Sequence, residues 1–118
     1  MSLRILFVED HRDTRHVLSN LLRHFGYEVD AAETHAHASL LLDTFDFDVL
    51  LCDIGLPDGD GCDLARQAKK QGSVCNIALT AFSSGSDIDR GMEAGFDHYL
   101  TKPCDVAMLR KLLGYVVR

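Results

Sequence analysis

Short apolar runs and helix-spaced apolar faces alternate along the whole chain. Residues 4–8 (RILFV) form a compact apolar run bounded by Glu9 and Asp10, which predicts a buried strand. Val17, Leu18, Leu21, Leu22 and Phe25 then recur at the spacing of one helix face, closed by Gly26. Residues 27–31 (YEVDA) alternate with period two, the pattern of a half-exposed edge strand. Thr34 is placed to cap a second helix through Leu42, and Val49 to Cys52 is the next buried run. A third helix is predicted from Cys62 to Gln71, ended by Gly72, and a fourth strand from Asn76 to Leu79. Ser86 or Asp87 can cap a helix running to about Ala94, and 98–100 is a short fifth strand. Asp105 caps a last helix with Val106, Leu109, Leu112, Leu113 and Val116 on one face.

Five strands alternating with five helices is the pattern of parallel βαβ units. Right-handed crossovers then give an α/β fold, an open doubly wound parallel sheet covered on both faces. With no linker, repeat or low-complexity stretch, 118 residues read as one domain spanning 1–118.

Composition changes this picture only by exclusion. At 47% hydrophobic and 25% charged residues the chain reads as an ordinary globule. No apolar stretch approaches the roughly 18 residues of a membrane span, and no signal-peptide pattern opens the sequence. The net charge of −6 argues against direct nucleic-acid binding. Cys52, Cys62, Cys75 and Cys104 show no CxxC spacing and read as small thiols in a reducing cytosol.

Candidate chemistry enters where the strands run out. In such a sheet, ligands bind beyond the carboxyl ends of the strands. The closing residues are Glu9 and Asp10, Asp53, Thr80, and Lys102 just past the fifth strand. Taken singly, Asp10 or Asp13 could cap the first helix, and Thr80 could be a plain strand residue. Together they gather three carboxylates, a hydroxyl and an ammonium at one edge. Two like charges about 4 Å apart repel by roughly 4 kcal/mol at an effective dielectric of 20. Lys102 can offset one charge, and an all-oxygen donor set suits Mg²⁺ for the rest. A free carboxylate oxygen can then attack phosphorus to form an acyl phosphate.

The stretches FVEDHRDTR (7–15), LLCDIGLPDGDG (50–61), ALTAF (78–82) and AGFDHYLTKP (94–103) resemble, in order and spacing, the receiver domain of two-component response regulators. The resemblance covers nearly the whole chain and implies a flavodoxin-like strand order 2-1-3-4-5. It implies that Asp53 is the phosphoacceptor, taking a phosphoryl group from a phosphohistidine on a sensor kinase or phosphotransfer protein. Asp10, Asp53 and the backbone carbonyl of Gly55 would hold Mg²⁺, with Glu9 acting through water. Lys102 would pair with the phosphoryl group, and the Lys102–Pro103 bond would be cis. Thr80 would swing onto the phosphoryl oxygens and Tyr99 would follow inward. The surface of the fourth helix, fifth strand and fifth helix would then change its protein partner. No nucleic-acid or membrane contact is expected of this domain.

Gly55 and Phe82, two residues beyond Asp53 and Thr80, offer no acid or amide to orient water, so a long-lived phosphorylated state is expected. The histidines read as solvated side chains rather than metal ligands, with His11 and His98 near the predicted site or output face, and GSDIDRG (85–91) lacks the spacing of a calcium loop. Two other readings stand behind the receiver. One is a receiver-like interaction module that never carries phosphate. The other is an Asp-nucleophile phosphatase, which typically needs a second Asp where this chain has Gly55. The wording DIGLPDGDG also resembles receivers of hybrid sensor histidine kinases, beside the option of a stand-alone regulator.

Overall fold

The computed structural model describes residues 3–80 and 93–116. Seven strands are present among them: β1 (Arg4–Val8), β2 (Glu28–Ala32), β3 (Val49–Asp53), β4 (Gly55–Leu56), β5 (Gly59–Asp60), β6 (Cys75–Thr80) and β7 (His98–Thr101). The main sheet is parallel with order β2-β1-β3-β6-β7. With β4 and β5 set aside, this is the expected order 2-1-3-4-5. Those two strands pair only with each other, as a two-residue antiparallel ladder inside the loop after β3.

The helices are α1 (Arg12–His24), α2 (His35–Thr44), α3 (Gly61–Gln71) and a C-terminal helix (Val106–Leu113). Four helices are thus seen among the described residues, against five expected. The helix predicted at about 86–94 falls almost wholly on residues 81–92, outside those described.

Both faces of the sheet are covered because its central strands are apolar on both sides. Ile5, Phe7, Val49, Leu51, Ile77 and Leu79 pack with Leu18 and Leu22 of α1 and with Leu109 and Leu113 of the C-terminal helix. The alternate residues Leu6, Val8, Leu50, Cys52 and Ala78 pack with Ala38 and Leu42 of α2 and Leu64, Ala65 and Ala68 of α3. β2 is an edge strand, as its alternation predicts, and begins one residue later than expected.

The apolar face predicted for α1 is narrower than its spacing suggested. Leu18 and Leu22 are buried, but Val17 is 66% exposed. The C-terminal helix stops at Leu113, so Val116 packs on the core from beyond its end.

Caps follow the polar residues at each boundary. Thr34, Asp60 and Asp105 accept the N–H groups of His37, Cys62 and Met108. For α1, neither Asp10 nor Asp13 is the cap. His11 takes that place, its Nδ1 accepting from Thr14 N at 3.2 Å, while Asp13 sits in the first turn. An acceptor nitrogen on a ring satisfies an orphan N–H much as a carboxylate would. Asp58 lies in the loop after β3. Its carboxylate accepts from His35 N at 2.7 Å and Ala36 N at 3.1 Å, tying that loop to the start of α2.

These two bonds hold the Asp58 carboxyl below its ordinary pKa of 3.8. A lowered carboxylate contributes stability that is full above the unfolded pKa and lost as pH falls through the folded one. Asp58→Asn should therefore be less stable than wild type at neutral pH, and the gap should close below the ordinary aspartate range. Urea unfolding at several pH values checks this; a gap that widens in acid would contradict it.

Candidate functional site

The strand ends converge because each parallel strand hands its last residues to the same edge. Just past β1, Glu9 N still bonds Ala32 O of β2 (3.0 Å). Ile54 N, just past β3, bonds Leu79 O (3.2 Å), and Lys102 N, past β7, bonds Thr80 O (2.7 Å). Backbone ladders thus fix Glu9, Asp10, Asp53, Thr80 and Lys102 at one rim.

Glu9 is fully buried, Thr80 is 5% exposed and Asp53 9% exposed, while Asp10 is exposed. Lys102 Nζ lies between the two buried carboxylates, 2.6 Å from Glu9 Oε1 and 2.9 Å from Asp53 Oδ2. Lys102 thus has two carboxylate partners, where the sequence predicts that it offsets one charge. Glu9 Oε2 also accepts His11 N (3.2 Å), and Asp53 Oδ1 accepts Gly55 N (3.0 Å). Burial pushes the Glu9 carboxyl up, against the pull of Lys102 and the His11 N–H. Burial alone would push the Lys102 ammonium down, but its bonds to Asp53 and Glu9 more than offset that and hold it above the ordinary lysine value.

One ligand oxygen each from Glu9, Asp10 and Asp53 lie within 4.8 Å of one another. Three ionised carboxylates against one ammonium leave a local charge of −2 (−3 + 1). A Mg²⁺ ion with oxygen ligands at about 2.0–2.1 Å spans about 4 Å between opposite ligands, so the cluster fits such an ion with small side-chain adjustments.

Close packing beneath the site depends on Gly61. A Cβ there would lie 2.6 Å from the Asp53 carbonyl oxygen and 2.9 Å from Ile54 Cα. Gly61→Ala should cost about 1–3 kcal/mol by overpacking against backbone that cannot yield cheaply. Urea unfolding would show it, and a change below about 0.5 kcal/mol would count against this account of the final glycine in PDGDG.

Tyr99 is half-buried and packs against the α2/α3 side of the core. The Lys102–Pro103 peptide bond is cis. Phe82 lies outside the described residues. All four cysteines are free, Cys52 and Cys62 buried and the other two half-buried.

Two supporting residues escaped the sequence reading. Arg15 donates from Nη1 to the carbonyls of Glu9 (3.0 Å) and Asp10 (3.3 Å), bracing the acidic turn from α1. His11 braces it through its backbone N–H and its cap. Arg15 stands one helical turn beyond His11, a spacing compatible with reaching back, but nothing in the sequence names its acceptor.

The family description that matches this chain is the response regulator receiver domain, over residues 5–114. The KDP operon transcriptional regulatory protein KdpE of Escherichia coli is 36% identical over 114 residues, which are 97% of this chain and 51% of that protein. The chain spans about half the length of the curated relatives it matches. The receiver domain of the sensor histidine kinase PA1611 of Pseudomonas aeruginosa, solved with a magnesium ion coordinated in its active-site cleft, superposes with a TM-score of 0.84. It is 32% identical, covering 96% of this chain and 95% of that one. The complex of the Saccharomyces cerevisiae histidine phosphotransfer protein Ypd1 with the receiver domain of its downstream response regulator Ssk1 matches with a TM-score of 0.85. Identity there is 26%, covering 94% of this chain and 86% of that one.

Proposed function

The chain belongs to the response regulator receiver domain family, and on that premise we propose that it receives a phosphoryl group on Asp53 from a phosphohistidine. One observation carries the reading: Lys102 Nζ bonds the Asp53 carboxylate at 2.9 Å inside a three-carboxylate cluster at the rim of the sheet. An Asp53 oxygen attacks phosphorus, the new O–P bond forming as the P–N bond breaks and its electron pair returns to the donor imidazole. Lys102 is already in place to move from the carboxylate to a phosphoryl oxygen, and Thr80, at the end of β6, supplies a hydroxyl donor at the same rim. Asp10, Asp53 and the Gly55 carbonyl would hold Mg²⁺, with Glu9 acting through water. When bound, that ion neutralises charge on the acids and on the transferring group.

Bonds from Thr80 and Lys102 to the new phosphoryl group bias a two-state surface. Moving such an equilibrium from 1:99 to 99:1 takes about 5.5 kcal/mol, within reach of a few charge-assisted bonds at 1.5–3 kcal/mol each. Among the described residues that surface is formed by β7 and the C-terminal helix, with Tyr99 following inward, and its partner is a protein. The donor is a histidine kinase or a histidine phosphotransfer protein, as in the Ypd1–Ssk1 pair. Residues 1–118 act as one cytoplasmic phosphoacceptor domain rather than as an enzyme with a separate substrate. A phosphatase reading lacks its second acid, since Gly55 gives Asp53 only a backbone N–H.

Incubation with acetyl phosphate and Mg²⁺, followed by intact mass measurement, tests this. The expected result is one added phosphoryl group, and none when Mg²⁺ is chelated before acetyl phosphate is added. No gain from acetyl phosphate or from a phosphorylated histidine phosphotransfer protein would favour the phosphate-independent interaction module instead.

A further inference from the structure

Next to the acidic rim, α1 carries a concentration of charge of the opposite sign. Arg12, Arg15, His16, Ser19 and Arg23 are spaced i, i+3, i+4, i+7 and i+11, which sets them along one helix face. With Ala31 of the edge strand β2, these five residues line a groove of about 150 Å³. Three arginines and a histidine lining one small groove are unexpected in a chain of net charge −6. Among the described residues, the carboxylate paired with any of the three arginines is Glu33, 3.9 Å from Arg15.

Two of the cations are already held in position. Arg15 donates to the carbonyls of Glu9 and Asp10, and Arg23 Nη2 to the Val29 carbonyl at 2.9 Å. Ligand binding therefore need not immobilise either long side chain. Arg12 has no hydrogen bond or ion pair among the described residues, and Ser19, 3% exposed, has a hydroxyl without a partner there. Gathered guanidiniums repel one another, and an anion with several oxygens would relieve the repulsion while supplying acceptors. The volume is below the roughly 300 Å³ of pockets for drug-sized ligands, so it suits one small ion rather than a nucleotide.

We propose that this α1/β2 groove is a binding site for a tetrahedral oxyanion of the phosphate class, separate from the Asp53 site. Arg12 is the cation that closes on it, Arg15 and Arg23 form the held part of its wall, and His16 lines it between them.

The test is an NMR titration of the chain with inorganic phosphate at constant ionic strength, without Mg²⁺ or any phosphodonor. Amide shifts at Arg12, His16, Ser19 and Ala31 should saturate with phosphate and not with chloride. Arg12→Gln should weaken binding about tenfold, the loss of one charge-assisted contact, and Asp53→Asn should leave it unchanged. Shifts that grow without saturation, or equally with chloride, would overturn the proposal. So would an Arg12→Gln affinity equal to wild type, or loss of binding in Asp53→Asn, which would place the ion at the acidic rim. Since no phosphoryl transfer is involved, failure here leaves the phosphoacceptor reading standing, and the reverse holds too.

Discussion

Asp53→Asn should abolish phosphoryl incorporation while leaving the fold intact. The amide retains an oxygen to accept the Gly55 N–H, as Asp53 Oδ1 now does at 3.0 Å; its NH2 then faces Lys102 in place of Oδ2, a loss offset by the relief of repulsion from Glu9 and Asp10. Lys102 retains Glu9 at 2.6 Å, so no buried charge is stranded. Stability should therefore shift by no more than about 1 kcal/mol, the scale of one hydrogen bond. An amide is a far poorer nucleophile than a carboxylate, and losing a nucleophile costs many orders of magnitude where nothing replaces it. A fall of at least about a thousandfold in the initial rate with acetyl phosphate is expected, followed by mass against time. A variant that still accepts phosphate at a tenth of the wild-type rate would mean that another group is the acceptor.

Lys102→Ala should produce the largest loss of stability among the site residues. It leaves Glu9, with no exposure at all, and Asp53, at 9%, as neighbouring carboxylates without their ammonium. Breaking a dry buried pair costs about 3–5 kcal/mol, but the Lys102 side chain is 27% exposed, so water screens part of the loss. About 2–3 kcal/mol is expected from urea unfolding at neutral pH. Mg²⁺ should stabilise this variant more than wild type, because it then has more uncompensated charge to offset. Adding Glu9→Gln should recover part of the loss, since it removes one of the two stranded charges. The pH dependence has a definite sign. The folded-state pKa of Lys102 is raised, so its contribution is full below the ordinary lysine value and disappears as pH rises through the folded one. A loss under about 0.5 kcal/mol with no added Mg²⁺ sensitivity would contradict this arrangement.

The layout of the sheet was legible because its central strands are apolar on both faces and each runs out at a polar residue, in its last position or just past it. Val49–Asp53 shows this most directly: four apolar side chains fill both cores, and the fifth residue meets Lys102. Thr34, Asp60 and Asp105 sit where the chemistry of helix starts puts them. What escaped the sequence depends on tertiary approach. The exposure of Val17 follows from how α1 rolls over the sheet, which periodicity locates only to within a residue or so of arc. His11 displaced both aspartates as the cap of α1, because imidazole nitrogen is a competent acceptor that cap preferences rank low. The role of Asp58 is equally hidden, since the N–H groups its carboxylate accepts from, on His35 and Ala36, lie more than twenty residues away. Asn76 likewise reads as a strand residue, yet its side-chain amide bonds the carbonyls of Ala65 and Gly95 and locks α3 to the turn before β7.

The most direct measurement locates the phosphoryl group itself. The chain is phosphorylated with acetyl phosphate and Mg²⁺, the acyl phosphate is reduced with borohydride to an alcohol, and the peptides are sequenced by mass spectrometry. Position 53 alone should read as homoserine. Reduction at Asp10, or at any carboxylate other than Asp53, would contradict it.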